Sequence, residues 1–149
     1  VRFVSLFALL AVVLGSAGCG GSNNNSTPTV VCALPAGTSV TLVYPIPNST
    51  GVPDSLGSVV LAVKPALPIG WQIVLGSSSA ASYFGGVLTT GTPVPLPTPI
   101  APTPAGSTLQ YSTFVGTGGL PANTVLQVGL NNTNASCNSF PTFGSFTTQ

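Results

Sequence analysis

From Val30 onwards the chain alternates short apolar stretches with clusters of Pro, Gly, Asn and Ser, the rhythm of a β-protein. Ser39 to Tyr44 is rich in β-branched residues and places Val40, Leu42 and Tyr44 on one face. Pro45 to Gly57 holds three prolines, two glycines and Asn48, and reads as loop. Ser58 to Val63 is almost wholly apolar, as in a central sandwich strand, and Lys64-Pro65 stops it because proline cannot donate to a ladder. Trp71 to Leu75 sets Trp71, Ile73 and Leu75 against Gln72 and Val74. Ser82 to Thr90 carries Gly85-Gly86 between Tyr83-Phe84 and Val87-Leu88, which predicts a two-residue hairpin turn. Thr108 to Phe114, Thr124 to Asn131 and Phe143 to Thr148 complete about seven strands. No stretch combines a helical period with caps.

Prolines recur at 93, 95, 97, 99, 102 and 104. This segment cannot be a central strand and favours polyproline II. A docking motif for an aromatic-lined groove is one reading of it. The favoured reading is a stiff crossover from one sheet to the other that shields an edge.

The first residues follow a different pattern. Arg2 precedes an apolar run from Phe3 to Leu14, broken by Ser5, and small residues Gly15 to Gly18 follow. A basic start, a short apolar core and a small-residue region make a secretory signal peptide. The run is too short to span a bilayer, which takes about 20 apolar residues. Ser16-Ala17-Gly18-Cys19 resembles the lipobox of bacterial lipoproteins, with Ser16 in place of the commoner Leu. The resemblance implies cleavage before Cys19 and lipidation of its thiol with diacylglycerol and acyl chains such as palmitate. In a two-membrane cell the resemblance further implies, from Gly20 rather than Asp after that cysteine, onward sorting to the outer membrane, so the expected address is the outer membrane or cell surface. Gly20 to Thr29 is a low-complexity polar stretch and reads as a flexible linker. The expected organisation is a signal peptide over 1–18, lipidated Cys19 and linker over 19–31, and one domain over 32–149.

Composition removes whole classes of function. The chain has one acid, Asp54, two bases, Arg2 and Lys64, and no His. Nucleic-acid binding needs clustered Lys and Arg, and general acid–base chemistry usually needs His or paired carboxylates. A calcium or zinc site cannot be assembled from one Asp, no His and scattered Cys. The expectation is a non-enzyme without cofactor or metal. Disorder normally goes with low hydrophobicity and high net charge. Here 44% hydrophobic and 2% charged residues point to a packed domain instead. So neutral a surface offers little colloidal repulsion, and tethering at a membrane makes that tolerable.

If Cys19 is lipidated, Cys32 and Cys137 remain as an even pair in an exported protein, which supports a structural disulfide over free thiols. A redox-active pair lacks the close Cys-x-x-Cys spacing. Trp71 with Tyr44, Tyr83, Phe84 and Tyr111 is the aromatic set from which a sugar-stacking platform could be built. The alternation around Trp71 places it in the core instead. Tyr83 and Phe84, beside the expected hairpin turn, are the better ligand-contact candidates. Lys64 as a base for a serine nucleophile and Asp54 as a metal ligand are the remaining candidates. The solvated strand end and the turn are the simpler readings of these two positions. Asn-x-Ser/Thr sequences begin at Asn24, Asn25, Asn48, Asn131 and Asn134, but bacterial export argues against their use as glycan acceptors.

About seven short strands with turns between them suggest an antiparallel two-sheet sandwich. Tyr44-Pro45-Ile46-Pro47-Asn48-Ser49-Thr50-Gly51-Val52-Pro53 with the strand after it resembles the opening of bacterial Ig-like domains of envelope and surface-layer proteins. Leu120-Pro121-Ala122-Asn123-Thr124 resembles the turn into their penultimate strand, and Phe143 to Thr148 their closing strand. Leu126 stands where that family often has the tyrosine of the tyrosine corner. The resemblance implies an all-β, Ig-like sandwich in which Cys32 and Cys137 meet at one end. It also implies an adhesion, scaffolding or interaction role in the envelope. The partners would be the membrane, through the lipid on Cys19, and envelope proteins or polysaccharide. A carbohydrate-binding module using exposed aromatics is the alternative.

Overall fold

A computed structural model describes residues 28–78, 82–114 and 119–149. Eight strands form: β1 (Ser39–Tyr44), β2 (Ser58–Lys64), β3 (Trp71–Ser77), β4 (Ser82–Val87), β5 (Thr89–Thr90), β6 (Thr108–Thr113), β7 (Val125–Asn132) and β8 (Thr142–Thr147). They make two antiparallel sheets, ordered β1-β2-β6-β5 and β4-β3-β7-β8. Lettered in chain order, these are A-B-E-D and C′-C-F-G, the immunoglobulin arrangement with one added strand. The expected sandwich is present, with one strand more than the seven predicted.

Period-2 alternation builds the core between the sheets. Leu42, Val59, Leu61 and Val63 of the first sheet meet Trp71, Ile73, Leu75, Leu126, Val128, Leu130 and Phe146 of the second. Val52, Leu56, Leu67, Leu88, Phe114 and Leu120 close the ends of that core. The continuous apolar run of β2 has a second cause. Val60 and Ala62 point to the outer face, where they form a smaller cluster with Val43, flanked by Ile100, Leu109 and Tyr111. Alternation turns Val43 to that outer cluster, and a bulge in β1 between Leu42 and Tyr44 sets Tyr44 opposite Val60 on the same face, where simple alternation would have turned it inward.

The proline-rich segment covers this outer face. It joins β5 to β6, which are neighbours in one sheet. It is therefore not the crossover between sheets that the sequence suggested. The chain bends at Val94–Pro95 and Thr98–Pro99 rather than running as a straight rod. Ile100 packs on the outer cluster, and the Ala101 amide donates to the Val43 carbonyl at 2.9 Å. That bond occupies part of edge strand β1, so the edge-shielding part of the expectation is met.

The expected hairpin at Gly85-Gly86 does not form. β4 runs through both glycines, and the strand crosses to the other sheet at Leu88, between β4 and β5. The pairing Gln72 with Val87 and Val74 with Phe84 leaves one extra residue on β4, a bulge at the glycine pair. A Cβ on Gly85 would sit 2.8 Å from the Ser112 Cβ and 2.9 Å from the Phe114 ring. The glycine therefore serves close approach of the sheets, the other common meaning of glycine within a strand.

Two buried side chains complete the hydrogen bonding that such irregularities leave open. Ser112 accepts from the Ile73 amide at 3.2 Å and donates to the Gly86 carbonyl at 2.7 Å. Gln110, 1% exposed, accepts from the Leu67 amide at 2.8 Å and donates to the Leu67 carbonyl at 3.0 Å. Both residues lie on β6 and fasten one sheet to the chain that leads into or runs along the other. The turn that leads into β7 is tied by a residue just after β8. Thr148, 2% exposed, donates to the Pro121 carbonyl at 2.5 Å and accepts from the Thr124 amide at 2.9 Å.

Cys32 and Cys137 form a disulfide with a Cα–Cα distance of 5.3 Å. Val31 forms a parallel bridge with Ser139 beside it. Amides of Cys32, Asn138 and Ser139 pair with carbonyls of Ser139 and Val30 over 2.9–3.2 Å. The entry to the domain is thus fastened to the turn between β7 and β8, the end-to-end proximity expected of this architecture.

Candidate functional site

The aromatic set divides by strand parity. Trp71 is 3% exposed and lies in the main core, on the strand that carries the core tryptophan of immunoglobulin sandwiches. Tyr83 is half-buried and packs inward against that core. Phe84, one residue on, points outward and is 45% exposed. It meets Phe140 edge-to-face, with ring centroids 6.0 Å apart. Tyr83 and Phe84 thus lie on opposite faces of one strand. They do not make a joint contact patch, and no hairpin turn lifts them from the sheet.

Tyr44 and Tyr111 come together instead, on the outer face of the first sheet. Val60 of β2 pairs with Tyr44 of β1 on one side and with Tyr111 of β6 on the other. The three side chains form one cross-strand row, with the tyrosines two strand spacings, roughly 10 Å, apart. Ser58 and Thr113 pair in the adjoining row. The proline segment walls this floor. A cleft of about 400 Å³ lies between Pro93, Pro95 and Pro97 on one side and Tyr44, Tyr111 and Thr113 on the other. A second cleft of about 240 Å³ also has Tyr44 in its lining, together with Ser49, Thr50, Val52, Thr98 and Pro99. Neither lining includes Asp, Lys or Arg.

The Ser49 hydroxyl oxygen is buried at the second cleft and has no hydrogen-bond partner among the described residues. A third depression of about 260 Å³ lies on the outer face of the other sheet around Val74, Gly129 and Phe140. Of the three, the 400 Å³ cleft combines aromatic and hydroxyl side chains at the size typical of ligand sites.

The two charged candidates are not brought together. Lys64 is exposed at the end of β2, where its carbonyl accepts from the Ser39 hydroxyl. Lys64 lines none of the three clefts described above. Asp54 is exposed in the turn before β2, at the other end of that strand. Among the described residues no group of three or more His, Cys, Asp or Glu could hold a metal ion. Cys19, the lipobox and the signal peptide lie outside the described residues, as does most of the linker.

No family model, curated protein or solved structure matches the chain. The Tyr44–Tyr111 pair was present in the sequence as part of a five-residue aromatic list. Choosing it from that list requires knowing that β1 and β6 flank β2. The order of strands, not any local motif, makes the site.

Proposed function

We propose that this chain is a lipid-anchored protein of the bacterial cell envelope whose Ig-like sandwich is a non-catalytic interaction, adhesion or scaffolding module. The observation that carries the reading is the fate of the three cysteines. Cys32 and Cys137 are bonded to each other, so the cysteine that remains is Cys19, at the end of an apolar run and four small residues. A thiol in that context is the acceptor that a lipoprotein signal presents. Two or more acyl chains, at about 0.8 kcal/mol per buried methylene, hold a protein on a membrane stably. The domain's own features agree with a tethered life. The domain's two acid or base side chains, Asp54 and Lys64, are both exposed, so solubility rests on Ser, Thr, Asn and Gln.

The test is fractionation of cells expressing the chain. Wild type is expected in the membrane fraction and to enter the detergent phase. Cys19→Ser is expected in the soluble fraction or as uncleaved precursor. A Cys19→Ser protein that partitions as wild type does would overturn the anchor.

A further inference from the structure

We propose that the trough floored by Tyr44 and Tyr111 and walled by the proline segment binds a neutral polysaccharide chain. This rests on the interaction-module reading and names its ligand class. Three features of the trough argue for it. The first is placement: two clefts both draw on Tyr44 and on the proline segment, so a linear polymer lying along that segment meets both. The second is chemistry. The lining pairs two aromatic rings with the hydroxyls of Ser58, Thr113 and Thr50, and has no charged side chain. Pyranose rings offer C–H faces for aromatic contact and hydroxyls for hydrogen bonding, so a polyol matches both halves of this lining. Asp54, exposed one residue beyond Pro53, disfavours an anionic chain at that end.

The third feature is preorganisation. Prolines with fixed φ make the wall, so less conformational entropy is lost when a ligand is held. An extended peptide fits less well, because it binds by adding backbone hydrogen bonds to a free strand edge. Part of the backbone along the trough is already taken: Ser49 donates to Ile46 and accepts from Thr147, and Val52 donates to Thr147.

Affinity electrophoresis of the purified chain decides the matter, in gels containing a mixed-linkage β-glucan, a mannan or dextran. Polygalacturonate serves as the anionic comparison, and an oligoproline peptide is titrated separately. At least one neutral polysaccharide is expected to retard the protein. Tyr111→Ala should weaken that binding roughly tenfold or more, as for a central aromatic anchor, and Phe84→Ala on the other sheet should change it less than about twofold. Thr113→Val, which removes one exposed hydroxyl, is the second probe if Tyr111→Ala proves unstable by its melting temperature. The proposal is overturned if no neutral polysaccharide retards the chain, if both trough variants bind as wild type, or if only polygalacturonate or oligoproline binds. Retention on isolated envelopes separates the two levels. Retention unchanged by Tyr111→Ala removes the trough and keeps the interaction module. No retention of wild type removes both.

Discussion

Replacing both bonded cysteines, Cys32→Ala with Cys137→Ser, is expected to cost about 2–5 kcal/mol of unfolding free energy. The bond spans 105 residues and encloses β1 to β7 in one covalent loop. In the chain-entropy account a loop of about 100 residues restricts the unfolded ensemble by up to roughly 4.7 kcal/mol. The folded state loses something as well, because Cys32 is 3% exposed and belongs to the main core. The bond also holds the Val30–Cys32 segment in register with Asn138 and Ser139. For a domain of this size the melting temperature should fall on the order of 10–15 °C, measured by circular dichroism. Adding reductant to wild type should reproduce the shift. A double variant that melts within about 2 °C of wild type would show that the bond contributes nothing to the fold.

Gln110→Leu is expected to destabilise by about 2–4 kcal/mol although it replaces a polar core residue with an apolar one of similar size. The apolar gain is small beside what is left behind. Leu67 would keep a buried N–H and a buried C=O without partners, where Gln110 now serves both. Its amide also donates to Thr90 on β5 at 3.3 Å, so the short edge strand loses a tie. Gln127→Leu is the comparison, since Gln127 is an exposed position on β7 and should stay within about 0.5 kcal/mol of wild type. Urea titrations of the two variants give the difference directly. Equal midpoints for the two would contradict the role assigned to Gln110.

How far the sequence reached depended on the range of the interaction that decided each feature. The β runs at 39–44, 58–63 and 71–75 were legible because alternation, β-branched residues and flanking Pro and Gly are local signals. Trp71 was legible as a core residue for the same reason. Gly85-Gly86 was not, because a glycine pair permits both a hairpin turn and a bulge. The deciding contacts come from Ser112 and Phe114, remote in sequence. The proline segment was recognised as non-strand, yet its place over Val43, Val60 and Ala62 depends on which strands are neighbours. The same dependence hid the candidate site. Tyr44 and Tyr111 stand 67 positions apart in the chain and face each other only through their shared pairing with Val60. Thr148, which ties the turn that leads into β7, gave no sequence signal beyond being a threonine near the closing strand.

The lipid anchor is the central proposal, and intact-mass spectrometry of protein extracted from membranes tests it most directly. The account predicts a polypeptide that begins at Cys19 and carries the added mass of a diacylglyceryl group, with or without a further N-acyl chain. A chain with an unmodified Cys19 thiol, or one that retains residues 1–18, would contradict it.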